Sequence, residues 1–346
     1  MTQPTERRDN DRCEPVDIRA AGRRAWQREL ARAITSIPEL LSAVGLDDGV
    51  ADIADSTFPL RVPRGYASRM RRGDPTDPLL LQALPLAAEN KHAPGFAIDP
   101  VGDLASMLSP GLLQKYHGRA LLITTGACAI HCRYCFRRNF PYNEASTTPA
   151  HLDAAIARIA ADSNITEVIL SGGDPLSLSD ERLRALLSRL GEVDHVERIR
   201  LHTRYPIVLP ERIDDPFCEV LAMSPRPLVF VVHANHVNEI DSSVSATLAT
   251  LGRHASLLLN QSVLLAGIND SAGVLAALST RLADCGVSPY YLHQLDPVAG
   301  AAHFAVSDAR ALQLVAELTR ILPGYLVPKL VREVSGESAK RNLGSR

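Results

Sequence analysis

From residue 120 onward, short apolar runs alternate with longer amphipathic stretches, and that alternation constrains the fold more than any other feature of the chain. The apolar runs are Ala120–Thr125, Thr166–Ser171, Glu197–Thr203, Leu228–His233, Ser256–Leu264 and Ser288–Leu292. Several are apolar throughout, which suits parallel strands covered on both faces. The stretches between and after them read as helices over Thr148–Asp162, Leu178–Leu190, Pro210–Met223, Ile240–Arg253, Ser271–Cys285 and Ser307–Leu322. Ser307-Asp308 opens the last with N-cap chemistry, and Pro323-Gly324 closes it. Six β-α units in succession imply a parallel sheet with right-handed crossovers, either open and doubly wound or a partial barrel. The polar residues choose between the two. The strand ends lead to Cys128, Cys132 and Cys135, then to Gly172-Gly173-Asp174, His202 and Arg204, His233, Gln261, and Gln294 with Asp296. A curved sheet brings such carboxyl edges round one cavity, whereas the outer edges of a flat sheet lie too far apart to share a ligand. The expected fold is therefore α/β, a partial (β/α)6 TIM-like barrel.

The first 115 residues read differently. Ile18–Ala43 shows an amphipathic helical pattern holding the single Trp, Trp26, and Leu60–Pro100 is rich in Pro, Gly and Asp with a helical piece at Leu79–Ala87. We divide the chain into a helical N-terminal region (1–115) packed on the barrel, a (β/α)6 core (116–322) and a C-terminal segment (323–346). Arg61–Asp77 reads as surface loop, and Arg69–Arg72 as a solvated face rather than a partner-binding patch. An RNA-binding role for Arg61–Arg72 lacks interleaved aromatic residues beyond Tyr66. With 37 Lys+Arg against 39 Asp+Glu, the net charge of −2 argues against nucleic acid bound through the whole surface. No run of about 18 apolar residues exists, and Met1–Arg12 is polar with no apolar stretch behind it. Those features predict a cytoplasmic protein that does not enter a membrane.

Six cysteines are an ordinary count for 346 residues, but their placement is not even. Cys13, Cys218 and Cys285 are scattered, while Gly126–Arg138 (GACAIHCRYCFRR) holds Cys-x3-Cys-x2-Cys with no fourth Cys nearby. Zinc sites want four protein ligands, and His131 beside Cys132 is poorly placed to complete one, since adjacent residues rarely reach the same tetrahedral ion. A four-iron cubane held by three thiolates leaves one iron without a protein ligand. Electron-transfer clusters are normally closed by four Cys, whereas an open iron can chelate a small molecule. A non-catalytic iron–sulfur or zinc protein remains the reading of another class.

With Tyr134 before its last Cys, this loop resembles that of the radical S-adenosylmethionine (SAM) enzymes, whose open iron chelates SAM. SGGDPL at Ser171–Leu176 resembles their glycine motif, in which Gly172 and Gly173 allow close backbone approach and Asp174 is free to pair with a cation. Four longer segments narrow the likeness: CAIHCRYCFRRNFP from Cys128, NQSVLLAGIND from Asn260, PYYLHQLDPVAGAAHF from Pro289 and GYLVPKLVREVSGESAK from Gly324. They resemble the lysine 2,3-aminomutases, above all the bacterial branch that makes β-lysine for modifying translation elongation factor P.

That resemblance implies a [4Fe-4S] cluster on Cys128, Cys132 and Cys135, SAM beside it, and pyridoxal phosphate (PLP) anchored by Lys340. It implies Lys115 and Arg119 at the PLP phosphate, Arg137 at the substrate α-carboxylate, and His233 and Gln261 lining the SAM and PLP cavity. Lys in place of Arg at 115 keeps the charge but loses the bidentate fork. Asp296 matches one of two acids that grip the substrate's far ammonium, and Glu333 stands where the other would be. Its longer side chain and altered loop argue against tight binding of free lysine. The implied reaction converts (S)-α-lysine to (R)-β-lysine through a radical formed by one-electron cleavage of SAM. An external one-electron reductant, a separate ligase that attaches the product to the factor, and a homodimer go with it. The same-class rival is a catabolic lysine 2,3-aminomutase. Against it stand the absence of sequence far beyond Lys340 and the VPKLVRE…GE segment, which replaces a glycine-rich one. His202 and Arg204 receive no role from the sequence.

Overall fold

The structure, a computed structural model, describes residues 24–344 apart from 48, 50–52, 54, 55, 57 and 143–147. Cys13, Met1–Arg12 and the start of the Ile18–Ala43 pattern lie outside the described residues.

Ten strands form one sheet in chain order: β1 (Met107–Ser109), β2 (Leu112–Tyr116), β3 (Arg119–Thr125), β4 (Glu167–Gly172), β5 (Arg198–Thr203), β6 (Leu228–Val232), β7 (Leu257–Leu264), β8 (Ser288–Gln294), β9 (Lys329–Arg332) and β10 (Arg341–Asn342). Strands β3 to β9 run parallel, while β1, β2 and β10 are antiparallel additions at the two edges. Lys115 on β2 and Glu333 just after β9 approach to 3.1 Å. Seven strand steps of about 4.8 Å would hold them roughly 34 Å apart in a flat sheet. The sheet is therefore curled into a barrel, as the distribution of polar residues requires.

The six expected strands and the six helices are present with ends shifted by a few residues, and the reasons for the helix starts are local. Thr148, Ser179, Asp214, Asp241, Ser271 and Ser307 each accept a backbone N–H of the first turn, opening helices Pro149–Ala160, Asp180–Gly191, Asp215–Ala222, Ser242–Gly252, Ala272–Asp284 and Asp308–Ile321. The expected Pro210–Met223 helix divides into a single turn at Pro210–Arg212 and the helix capped by Asp214. β6 is buried along its whole length, as suits a strand covered on both faces.

Two expectations need correction. Neither terminal region is merely packed against a six-stranded core, because β1–β2 and β9–β10 extend the sheet itself. These strands are two to five residues long and too short to show a period. Nor is Arg61–Asp77 only a surface loop: Val62, Tyr66 and Met70 are buried, and Arg69 donates to the backbone carbonyls of Ile207 and Glu239, while Arg71 and Arg72 stay exposed. The N-terminal helices Ala25–Ala31 and Ile37–Val44 share one apolar core with the barrel. Arg212 lies 4.7 Å from the Trp26 ring and 2.9 Å from Asp180, which also pairs with Arg24, so a charged clamp fixes their position. Among the described residues, no helix is long and apolar enough to cross a membrane.

Candidate active site

The cysteine loop leaves the carboxyl end of β3 and is fixed at its base by glycine. A Cβ on Gly173 would sit 2.4 Å from the Ala127 carbonyl oxygen, and one on Gly172, at φ 123°, 2.5 Å from that of Thr125. Only backbone without side chains lets the end of β4 lie this close beneath the loop. Further out, Arg133 is wholly buried and forked onto Glu89, with Nε 2.7 Å from Oε1 and Nη2 2.5 Å from Oε2. Arg138 takes the same carboxylate at 2.6 Å. Two arginines outweigh the cost of burial and keep Glu89 ionised below the usual carboxylate range. The loop is thus locked to the N-terminal region on both sides of Tyr134.

Cys128, Cys132 and Cys135 are all free and partly buried. Burial pushes the Cys128 thiol well up and the Cys135 thiol to about 11. Among the described residues, no group of three His, Cys, Asp or Glu side chains is arranged to hold one metal ion. Thiolates on a single zinc crowd around it at about 2.3 Å each. Three thiol donors on one loop fit a cubane, in which each thiolate takes its own iron.

Below the loop, charges of alternating sign cross the mouth of the barrel. Arg137 donates through Nε to Asp103 Oδ2 at 2.6 Å and through Nη1 to Ser171 Oγ at 3.1 Å. Lys115 Nζ lies 2.6 Å from Asp103 Oδ1 and 3.1 Å from Glu333 Oε1, and donates to the Val101 carbonyl at 2.9 Å. Glu333 also pairs with Lys340. Burial works against the Glu333 charge, but Lys340 and Lys115 outweigh it and hold the group down at about 2. Around Lys340 stand polar atoms that are buried without a hydrogen-bond partner, His202 Nε2, His293 Nε2 and Asp296 Oδ1, with His233 Nε2 likewise buried beside His202. Burial drives His202 and His293 well below the ordinary histidine value and His233 to about 3, so all three are neutral, while it raises Asp296 to about 7. His202 and His233 stand edge to face at 5.8 Å. Native interiors rarely leave such groups unsatisfied, and their concentration around one lysine fits a cavity built for a polar ligand.

The geometry gathers most of the residues singled out in the sequence, with altered partners for some. Among the described residues Asp174 pairs with no cation. Its carboxyl accepts from Leu176 N at 3.0 Å, Thr203 Oγ1 at 2.8 Å and Arg204 N at 2.7 Å, tying β4 to β5, and burial raises it to about 6. Lys115, expected at a phosphate, is engaged by two carboxylates and a carbonyl. Glu333, expected at a substrate ammonium, is engaged by two lysines of the chain itself. Arg119 sits 5.3 Å from the Tyr116 ring and makes no ion pair among the described residues. Gln261 lies on β7, in register with Tyr291. Asp103 was missed altogether: an acid in a Pro- and Gly-rich stretch carries no signal that it will hold both Arg137 and Lys115.

A curled parallel sheet with Cys-x3-Cys-x2-Cys at the end of its first parallel strand is the arrangement of a radical SAM enzyme. The Radical SAM superfamily matches residues 122–217. Its domain carries a [4Fe-4S] cluster and SAM. The chain is 46% identical over 332 residues to the L-lysine 2,3-aminomutase of Escherichia coli (strain K12), covering 95% of this chain and 97% of that one. It is 44% identical to the L-lysine 2,3-aminomutase of Haemophilus influenzae over 91% of this chain and 94% of that one. With the one from Clostridium subterminale it shares 33% identity over 94% of this chain and 79% of that one. Among solved structures, a radical SAM methyltransferase from Sphaerobacter thermophilus is similar at a TM-score of 0.43, with 20% identity, over 64% of this chain and 68% of that one. The chain belongs to the L-lysine 2,3-aminomutase family and is an isomerase.

Proposed function

We propose that the protein converts (S)-α-lysine to (R)-β-lysine with PLP beside the cluster and SAM, and that the product serves modification of elongation factor P. The observation that carries the reading is the charged row from Arg137 through Asp103, Lys115 and Glu333 to Lys340, opposite unpartnered Asp296. It offers a cation for an α-carboxylate at one end and acids for a distal ammonium at the other.

When bound, the cluster and SAM supply a carbon-centred radical by one-electron cleavage, and PLP supplies an aldehyde and a ring that hold the migrating nitrogen. Cys128, Cys132 and Cys135 would ligate three irons, leaving the fourth for SAM. Lys340 would anchor PLP, Arg119 and Lys115 its phosphate, and His233 and Gln261 the cavity wall. Arg137, made rigid by Asp103 and Ser171, orients the substrate carboxylate. Burial raises Asp296 to about 7, and an ammonium beside it would favour the charged carboxylate. The stretch before β1 is tied to the loop after β8 that carries Asp296: Ala97 donates to the Pro297 carbonyl at 2.8 Å and accepts from Ala299 N at 2.9 Å.

Support for the elongation-factor branch is the VPKLVREVSGESAK segment, in which Glu333 and its neighbours replace a glycine-rich stretch before Lys340. Its partners in this reading are a lysyl ligase, an external one-electron reductant and a second copy of the chain, all in the cytoplasm where translation takes place. Reconstitution with iron and sulfide under anaerobic conditions, then SAM, dithionite and lysine, tests it by mass spectrometry and chiral analysis. Slow formation of β-lysine that stops in Lys340→Ala is expected. Rapid turnover of free lysine points to the catabolic rival, and absence of β-lysine from a fully loaded enzyme rejects the activity.

A further inference from the structure

Arg204 belongs to none of the groups assigned above, yet it is a buried, closely held cation that touches the cysteine loop. The residue is 6% exposed. Nη1 donates to Cys132 Sγ at 2.6 Å. Nη2 is held by Glu239 Oε2 at 2.9 Å, Gln82 Oε1 at 2.8 Å and, more loosely, the Tyr66 hydroxyl at 3.3 Å. The Tyr66 and Tyr134 rings stand on the guanidinium with centroids 5.6 Å away, and the backbone N–H is pinned by Asp174. Glu239 is itself fully buried, and its other oxygen accepts from the backbone of Asn235 and His236. Arg204 Nε is buried with no hydrogen-bond partner. A structural ion pair explains Nη2, but it does not explain why a second arm of a buried arginine is aimed at a sulfur.

We infer that Arg204 tunes the cluster, its guanidinium donating to the Cys132 thiolate so that the cluster is easier to reduce. The inference rests on the reading that Cys128, Cys132 and Cys135 ligate the cluster. The step concerned is the uptake of one electron from an external one-electron donor, which is itself oxidised by one electron; no bond is made or broken. Reduction adds negative charge that spreads onto the ligand sulfurs, and a cation fixed beside one of them stabilises the reduced state more than the oxidised one. The dry surroundings strengthen that preference. Glu239 has the opposite effect: it holds Arg204 in place while offsetting part of its charge. Among the described residues, Cys132 alone of the three receives a side-chain cation as donor. Tyr66 and Gln82 thus serve as positioning residues, acting on the cluster only through Arg204, whereas Glu239 both positions the guanidinium and opposes its charge.

The test is an anaerobic redox titration of the reconstituted full chain, read by EPR, with iron and sulfide counted in each sample. Arg204→Gln is expected to lower the midpoint by at least 59 mV, a tenfold loss in the one-electron reduction equilibrium. Arg204→Lys keeps the charge and falls less. Glu239→Gln, which removes the opposing carboxylate, raises the midpoint. Loosening of the fold does not move the two positions in opposite directions. An unchanged midpoint in Arg204→Gln at full iron content overturns the inference. Where that variant holds no iron, Glu239→Gln decides, and a midpoint at or below that of the parent overturns it. A parent chain without a reducible cubane, or a Cys132→Ala variant with the parent's spectrum, overturns the ligand reading instead.

Discussion

Asp103 and Asp296 show how differently two acids of one cavity are used. Asp103 holds Arg137 and Lys115, and charge-assisted bonds of this kind contribute about 1.5–3 kcal/mol. Asp103→Asn is therefore expected to raise the KM for lysine about ten- to a hundredfold with a smaller loss in kcat, measured in the reconstituted enzyme. Asp296 is raised by burial from 3.8 to about 7. Its folded form binds the proton more tightly than the unfolded chain, so the stability it contributes is complete below about pH 4 and is lost as pH rises through 7. Asp296→Asn is expected to melt higher than the parent at pH 8, by a few degrees, with the difference vanishing at pH 4; equal melting at both pH values would show that Asp296 has an ordinary carboxyl. The cysteine trio and Lys340 could be singled out in the sequence because their spacing or likeness is distinctive. Asp103 could not, because its role depends on folding that brings residues 103, 115, 137 and 333 together.

At the scale of elements, the junction of β3 and β4 places the cysteine loop, and glycine makes the junction close. Gly173→Ala puts a methyl group into the Ala127 carbonyl and is expected to cost ~1–3 kcal/mol by overpacking, displacing the loop that carries Cys128. Iron content per chain after reconstitution and the thermal midpoint should both fall, and a variant that loads iron like the parent would show that the loop does not depend on this contact. The six central strands and their helices were legible because each helix begins at a capping Ser, Thr or Asp and each strand is a short run rich in β-branched, aromatic or other apolar residues. The edge strands were not, since β1, β9 and β10 are held by their neighbours rather than by a pattern of their own.

Across the whole molecule, one apolar core runs from Trp26 and Leu40 through the barrel to Val287, and Glu89 ties the N-terminal region to the cysteine loop through Arg133 and Arg138. Breaking a buried pair from one side costs about 3–5 kcal/mol. Glu89→Gln is expected to lower the thermal midpoint in a single transition and to shorten the life of the cluster in air; two separate transitions would mean that the N-terminal region folds apart from the barrel. This unity was only partly visible in the sequence, which suggested a region packed on the barrel but gave no sign that Arg69, Gln82 and Glu89 reach into the environment of the cluster. The central claim is that three cysteines hold a cubane whose fourth iron is left for SAM. EPR of the reduced, reconstituted chain with and without SAM carrying ¹⁵N in its amino group tests it most directly. The account expects a cubane signal that changes with SAM and gains coupling to the labelled nitrogen, and a spectrum indifferent to SAM would contradict it.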